Sequence, residues 1–360
     1  MHSRTKLIIV MIILLGSFLS LAIVKSIKRP AAVEQIHAVR VLESVRSPFY
    51  LPQYLAQNLG FFQEENLDVT ISARGAEAIR TSLIEGRADI VICGLQRIMF
   101  NPAAESPQPK IFAVAAARDG SLLLARTDNG LEGFQWQDLK RKTIIGSAHN
   151  DSTQIALENV LRDHGLLPYR EVTIYYNIPD NLRITAFRAG TGNYIQLLEP
   201  EASLVEADGS GRVVASVGSA AGNMAVTAYA AMPGSIESNP ELFQKFTNAI
   251  YKAQLWLSAH SAEEAAEAAV SSFPNLDKSI LLNSIRRYQS LGVWAANPMI
   301  TGESYEKFHR AAKNSGEITG TIPYESIVIN DFALNAVQTV VYVPKADKGN
   351  KSFLQRIFKQ

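Results

Sequence analysis

The segment 47–62 combines aromatic side chains with the pattern of a loop that leads into a helix. Phe49 and Tyr50 follow Ser47, and a short β-branched stretch at 39–45 precedes them. That stretch is typical of a buried strand. A strand that passes directly into a helix presents its loop at the carboxyl edge of a sheet, where open α/β folds bind ligands. We therefore expect Phe49 and Tyr50 to cover a small molecule at that edge.

A second polar segment joins a predicted strand at 143–146 to a predicted helix at 152–164. It contains Asn150, Asp151 and the hydroxyl residues Ser152 and Thr153. Free backbone N–H groups at a helix N-terminus, with hydroxyls beside them, favour a bound anion. Capping of the helix by Asp151 or Ser152 explains the same residues. Both interpretations remain open from the sequence.

A carboxylate, Glu199, follows a predicted strand at 194–198. It is placed to hold an amine or a ring N–H, or to be a solvent-facing turn residue. Gly190 and Gly192 precede the same strand, whereas a dinucleotide-binding glycine motif follows its strand. The two glycines are therefore interpreted as a tight turn.

Composition narrows the function classes. The 360 residues carry a net charge of +1, which gives nucleic-acid binding no electrostatic support. The single cysteine, Cys93, excludes a disulfide framework and a thiolate metal site. The six histidines show no metal-binding spacing, and no nucleophile or phosphate-loop motif is present. We expect no metal, no cofactor and no catalytic residue.

The N-terminal segment predicts export. Residues 7–24 carry no charge and have basic residues on both sides. This length is short for a membrane span and long for a signal-peptide core, so residues 1–29 are a signal anchor or a cleaved signal peptide. A linker at 30–35 follows. The chain is expected at the extracytoplasmic face of the membrane, or periplasmic or secreted if the leader is cleaved.

Strand and helix patterns alternate through most of the remaining chain, which favours an α/β fold with parallel-dominated sheets flanked by helices. The last third is mostly helical, with helices predicted at 239–260, 277–291 and 303–314. A basic tail is predicted at 336–360. The predicted strands are 39–45, 67–71, 88–93, 110–117, 121–126, 143–146, 172–176, 194–198, 213–217 and 226–230.

Several segments together resemble one family across about residues 38–335. It is the group of ABC-importer solute-binding proteins for aliphatic sulfonates, taurine, nitrate and thiamine-type pyrimidines. The opening motif is fairly specific, and the others carry weight through their order and spacing. The segments are 47–62, 86–90, Arg118-Asp119-Gly120, 190–194 and 199–218.

The resemblance implies a two-lobed, type II periplasmic-binding-protein fold behind an N-terminal membrane helix. Lobe one would contain 36–120 and 228–335, and lobe two would contain 121–227. The ligand would lie between the lobes, and a hinge at the two strand crossings would close over it. An ABC permease and its ATPase would be the partners. The ligand-binding residues that the resemblance implies are Ser47, Phe49, Tyr50, Gly75, Ala76, Gly94, Leu95, Asn150, Ser152, Thr153, Asn177 and Glu199.

Two other functions share this fold. A thiamine-pyrimidine synthase would use it for chemistry, but such enzymes carry a cysteine-rich motif that one cysteine cannot supply. A membrane-tethered sensor domain would bind a ligand without a transporter. The ligand class also stays open, because an anion would favour the amides at 150–153 and a cation would favour Glu199.

Overall fold

Two five-stranded sheets form the framework of the computed structural model, which describes residues 35–99, 107–127 and 133–344. The first sheet contains, in spatial order, β2 (Leu67–Ala73), β1 (His37–Glu43), β3 (Ile90–Gly94), β10 (Thr227–Ala231) and β4 (Lys110–Val114). The second contains β7 (Thr173–Tyr175), β6 (Thr143–Ile145), β8 (Tyr194–Leu197), β5 (Leu122–Arg126) and β9 (Gly211–Ser216).

One strand in each sheet runs against the others. In the first sheet β1 pairs with β2 and β3 in parallel, whereas β10 is antiparallel to both of its neighbours. In the second, β6 pairs with β7 and β8 in parallel, and β5 is antiparallel to both neighbours. The predicted α/β class is confirmed. Four of the five strands in each sheet run in one direction, as predicted, and the exceptions are β10 and β5, the strands by which the chain enters the opposite sheet.

Helices cover both sheets, and the C-terminal third is helical. Along the first part of the chain they are α1 (Leu51–Asn58), α2 (Phe61–Glu64), α3 (Ala76–Ile84), α4 (Leu95–Met99), α5 (Ser152–Asp163), α6 (Asp180–Arg188), α7 (Glu201–Ala207), α8 (Val217–Ala221) and α9 (Pro233–Ser238). The C-terminal helices are α10 (Pro240–Ala259), α11 (Ala262–Ala269), α12 (Lys278–Ser290), α13 (Gly302–Asn314), α14 (Tyr324–Ile327) and α15 (Asp331–Thr339). Short 3-10 turns occupy Pro48–Tyr50, Trp136–Leu139 and Val270–Ser272.

The core of the first sheet lies against α10. The rings of Phe246 and Tyr229 of β10 meet edge to face, with centroids 5.3 Å apart. Phe246 makes a second edge-to-face contact with Phe112 of β4, at a centroid distance of 6.0 Å. All three side chains are fully buried. Cys93 in β3 is also fully buried, as its apolar surroundings in the sequence predicted.

The two ends of the predicted organisation lie outside the described residues. These ends are the leader at 1–29 and the last part of the tail, 345–360, and both stay predictions. Among the described helices, none combines the length and apolar character that a membrane crossing needs. Helix α15 runs past residue 336, the predicted start of the tail, and ends at Thr339.

Candidate functional site

The loop after β1 reaches the second sheet through Ser47. The Ser47 hydroxyl donates a hydrogen bond of 2.8 Å to the carbonyl oxygen of Glu199, which follows β8. The same hydroxyl oxygen accepts a bond of 3.2 Å from the backbone N–H of Phe49, which caps the 3-10 turn. Two predicted ligand residues from different sheets are therefore in direct contact.

The aromatic pair Phe49 and Tyr50 is packed inside the protein. The two side chains are 3% and 4% exposed, and their ring centroids lie 5.6 Å apart. A Cβ atom at Gly120 would lie 2.7 Å from the Phe49 ring, so the ring needs glycine there. The Tyr50 hydroxyl is 2.8 Å from the Ser44 hydroxyl, and burial raises the pKa of Tyr50 above its ordinary value. Contact of either ring with a ligand stays a prediction.

The end of β3 meets the start of α5. A Cβ atom at Gly94 would lie 2.7 Å from the Ser152 hydroxyl, so glycine permits this close approach. Two residues later the Gln96 side-chain amide donates a bond of 2.9 Å to the carbonyl oxygen of Asn150. Leu95 between them is fully buried. The structure thus brings four predicted site residues from different sheets together.

The N-terminus of α5 is capped from within the chain. The carboxylate of Asp151 accepts bonds from the backbone N–H of Thr153 at 2.9 Å and from its hydroxyl at 2.8 Å. The Thr153 hydroxyl is also 2.8 Å from the Ser147 hydroxyl. Ser152 and Thr153 are buried. Of the two interpretations that the sequence left open, capping by Asp151 is confirmed, and it places a negative charge where an anion was considered.

A buried polar chain links the crossing before β5 to this helix start. Asp119 accepts a bond of 2.9 Å from the backbone N–H of Ser121 and a second from its hydroxyl. The Gln196 side-chain amide donates to the Ser121 hydroxyl at 2.7 Å and to the carbonyl oxygen of Thr153 at 2.9 Å. Asp119 and Gln196 are both fully buried.

Gln96, Asp119, Ser121, Gln196 and the helix start at 150–153 form what we call the polar cluster. Three of its oxygens have no hydrogen-bond donor among the described residues. They are Asp119 Oδ2, Gln96 Oε1 and Gln196 Oε1. Both glutamine amides donate to backbone carbonyls, which cannot donate in return, so each Nε2 assignment is fixed and each Oε1 is an acceptor. Buried acceptors without donors carry a desolvation cost of about 1–3 kcal/mol each. A ligand that donates hydrogen bonds would remove this cost.

The charges around the cluster come from Asp119, Asp151 and Arg183. Burial raises the pKa of Asp119 to about 7, and the charge of Asp151 acts in the same direction, whereas the two bonds from Ser121 oppose it. Arg183 donates to the carbonyl oxygen of Gln196, and burial lowers the pKa of its guanidinium. The Nε atom of Arg183 has no acceptor among the described residues.

Glu199 is held by residues of α7 and α12. Its Oε1 accepts a bond of 2.5 Å from Arg287, and its Oε2 accepts bonds from Ser203 N at 3.0 Å and the Ser284 hydroxyl at 3.2 Å. The side chain is fully buried, so the interpretation as a solvent-facing turn residue is wrong. Ligand binding by Glu199 stays a prediction.

Three predicted site residues lie apart from this cluster in the hydrogen-bond network of the described residues. Gly75 is exposed and precedes α3, and the chain continues into Ala76, whose backbone begins that helix. Asn177 is exposed after β7. Their roles also stay predictions.

Sequence reasoning missed Gln96, Asp119 and Gln196 as site residues. Gln196 had a readable signal, because it interrupts the apolar strand 194–198 with a long polar side chain. Asp119 belongs to the segment Arg118-Asp119-Gly120, but its burial depends on α8 and the Phe49 loop, which are distant in sequence. For Gln96 no local pattern distinguishes a buried amide from an exposed one.

Comparisons with known proteins agree with this architecture. Residues 47–264 match the family model described as NMT1/THI5 like. YtlA of Bacillus subtilis (strain 168), a protein named for a proposed binding role, is 35% identical over 302 residues, which are 83% of this chain and 90% of YtlA. A 4-amino-5-hydroxymethyl-2-methylpyrimidine phosphate synthase of Candida albicans (strain WO-1) is 25% identical over 61% of this chain and 67% of the synthase.

Solved structures share the fold at low sequence identity. The ligand-binding component of an ABC-type import system from Staphylococcus aureus superposes with a TM-score of 0.68 and 11% identity, covering 83% of this chain and 99% of that one. The alkanesulfonate-binding protein SsuA from Xanthomonas axonopodis pv. citri gives 0.63 and 16%, covering 83% and 100%. With the family match and the YtlA likeness, these findings show that the chain belongs to the NMT1/THI5-like family and has a periplasmic-binding-protein fold.

Proposed function

We propose that this chain is the extracytoplasmic solute-binding component of an ABC importer and that it captures a small ligand between two lobes. The observation that carries the proposal is the polar cluster built jointly by the two sheets, in which three buried oxygens have no donor among the described residues. Binding-protein folds place their ligands at such interlobe surfaces. Each sheet with its helices would form one lobe, at the boundaries 36–120 with 228–335, and 121–227.

The cluster favours a ligand that donates hydrogen bonds and carries positive charge. The two glutamine oxygens, which have no donor among the described residues, are acceptors, and Asp119 adds a carboxylate when it is ionised, above its pKa of about 7. A charge-assisted hydrogen bond is about twice as strong as a neutral one. Asp151 already accepts from the backbone N–H of Thr153 at the N-terminus of α5, and its carboxylate disfavours an anion there. An amine or a protonated aminopyrimidine satisfies these groups better than nitrate does.

A sulfonate or nitrate is the second candidate ligand. Arg183 favours it, because its Nε atom is a buried donor that finds no acceptor in the described part of the chain. Taurine carries both an ammonium and a sulfonate, and could satisfy acceptors and donor together. Solved structures with this fold include a protein named for alkanesulfonate binding, so sulfonates are included in the test.

An enzymatic role has less support. The synthase relative matches at low identity and over part of its length. Cys93 cannot serve as a nucleophile, because it is fully buried and burial raises the pKa of its thiol to about 12. We propose a binding protein without catalytic activity, partnered by a permease and an ATPase and retained at the membrane if the leader is an anchor.

The test begins with native mass spectrometry of the purified protein, which would identify a co-purifying ligand. Calorimetry should then compare taurine, ethanesulfonate and an aminopyrimidine on the wild type, Asp119→Asn and Arg183→Gln. A cationic ligand should bind more than tenfold more weakly to Asp119→Asn, because the charge-assisted bond is lost. A sulfonate should instead lose affinity in Arg183→Gln. If neither variant changes the binding of any ligand that the wild type holds, the cluster is not the ligand site.

A further inference from the structure

A separate cavity of about 250 Å³ opens at the outer edge of the first sheet. Its polar lining consists of three arginines, Arg40, Arg74 and Arg87, and three hydroxyl residues, Thr70, Ser72 and Ser82. None of these residues belongs to the polar cluster between the sheets. Among the described residues that line it, no side chain is acidic.

The backbone explains why these side chains meet. Arg40 of β1 pairs in register with Thr70 of β2, and the neighbouring pair two residues on is Leu42 with Ser72, so all four share one face of the sheet. Arg74 directly follows β2, which is an edge strand. Helix α3 and the turn after it supply the remaining lining residues. Sheet register therefore fixes one wall of the cavity, and the segments after β2 and α3 bring Arg74 and Arg87 to it.

The charges in the cavity are only partly compensated. Arg40 binds Asp89 through two bonds of 2.7 and 3.0 Å, which leaves its Nη1 group for another acceptor. Arg87 pairs with Glu85 outside the lining and donates to the Ser82 hydroxyl at 3.4 Å. Arg74 has no ion pair with any described residue. Three guanidinium groups thus face two carboxylates, and one positive charge is in excess.

The surroundings strengthen that excess charge. The side chain of Leu42 forms an apolar floor and is 6% exposed. Near such a surface the effective dielectric constant is lower than in water, so the arginines repel one another more strongly and attract an anion more strongly. Guanidinium groups match the geometry of phosphate oxygens through paired N–H donors, and hydroxyls add further donors.

We infer that this cavity is a binding site for a phosphate-class anion, independent of the ligand site between the sheets. Its volume suits a single phosphate group with few attached atoms. The phosphate could be free in solution or part of a lipid headgroup, and both sources present the same oxygens. Arg74 would contribute the uncompensated charge, and Arg40 and the hydroxyls would orient the anion.

Calorimetry of the full chain with inorganic phosphate tests the site, at constant ionic strength with chloride as the reference salt. We expect one binding event on the wild type and a loss of at least tenfold in affinity for Arg74→Gln. The control Arg310→Gln removes an exposed arginine of α13 and should bind phosphate like the wild type. Asp119→Asn should also keep phosphate binding, which separates this site from the proposed ligand site.

Two results would overturn the inference. One is the absence of phosphate binding to the wild type at about 10 mM, a concentration that would fill about nine-tenths of a site with a dissociation constant of about 1 mM. The other is binding that Arg74→Gln leaves unchanged. A parallel titration with short-chain phosphatidic acid below its micellar concentration identifies the source, since binding tighter than inorganic phosphate indicates a headgroup and weaker binding indicates a free anion. Whichever of the two ligands binds more tightly, Arg74→Gln must weaken its binding for the result to support the site.

Discussion

Asp119 is the residue at which stability and the proposed ligand binding oppose each other. Its carboxylate is fully buried, and burial raises the pKa of Asp119 to about 7. An ordinary aspartate in the unfolded chain ionises near pH 4. A group with a raised pKa in the folded state contributes its stability fully at low pH, and this contribution is lost as the pH rises through 7. The ligand-free protein should therefore be less stable at pH 8 than at pH 5.

Asp119→Asn should remove this pH dependence. Asparagine keeps the oxygen that accepts from Ser121 and cannot ionise, so the variant should gain stability relative to the wild type by roughly 2–3 kcal/mol more at pH 8 than at pH 5. Urea unfolding at the two pH values measures the difference. Asp68→Asn, at an exposed position of β2, is the matched control and should shift stability by no more than about 0.5 kcal/mol at either pH. An equal effect of Asp119→Asn at both pH values would contradict the buried ionisation.

Gly218 shows how one missing side chain positions Asp119. A Cβ atom at this residue of α8 would overlap the backbone carbonyl group of Asp119. Gly218→Ala should destabilise the protein by about 3 kcal/mol or more, because a backbone contact cannot rotate away. Gly234→Ala in α9 has no atom within 4 Å of the added Cβ and should be neutral or slightly stabilising. Thermal unfolding of both variants gives the comparison, and equal melting temperatures would show that α8 can shift.

At the scale of elements, helix α12 fastens the strand end that carries Glu199. Arg287 binds the buried Glu199 and also pairs with Glu206 of α7. Removal of one partner from a buried ion pair typically costs 3–5 kcal/mol, because the other charge stays buried without compensation. Arg287→Gln should therefore destabilise the protein strongly, and adding Glu199→Gln should recover much of the loss.

The neighbouring arginine of the same helix provides the control. Arg286 pairs with Glu263 at 2.5 Å, with both side chains more than half exposed. Exposed pairs contribute about 0–1 kcal/mol, so Arg286→Gln should change the free energy of unfolding within that range. Chemical denaturation of Arg287→Gln, of its combination with Glu199→Gln and of Arg286→Gln measures these changes in the free energy of unfolding. Similar losses for Arg286→Gln and Arg287→Gln would mean that the burial of Glu199 has no energetic consequence.

The sequence predicts elements better than it predicts the site. The helix at 152–164 and the strand at 143–146 carry clear periodicity and reappear as α5 and β6 within a residue or two. Helix α6 was not predicted, because its four apolar residues are spread around the helix and only Phe187 among them is buried. The pairing partner of Glu199 was not predictable either, since Arg287 lies on a helix 88 positions away. Spacing reports which face a residue occupies, but not which distant element covers it.

At the scale of the whole molecule, two strands carry the chain between the sheets. The chain passes from the first sheet to the second between β4 and β5, and it returns between β9 and β10. Strands β5 and β10 are each antiparallel to their neighbours. Direct bonds such as those from Ser47 to Glu199 and from Gln96 to Asn150 join the two sheets near these crossings. If the lobes open around β5 and β10, these bonds must break, and a ligand that fills the polar cluster must favour their return.

Ligand binding should therefore contract the molecule. Small-angle scattering is expected to give a smaller radius of gyration at a saturating concentration of whichever test ligand binds in calorimetry, because a ligand shifts the population only through its higher affinity for the closed state. The control is Asp119→Asn with the same cationic ligand at the same concentration, where weaker binding should leave the larger radius. A radius that stays constant while calorimetry records full binding would contradict closure. In that case the ligand would have to reach the oxygens of Asp119, Gln96 and Gln196 that lack a donor among the described residues without any opening of the protein. The crossings at β5 and β10 would then be connections without a hinge.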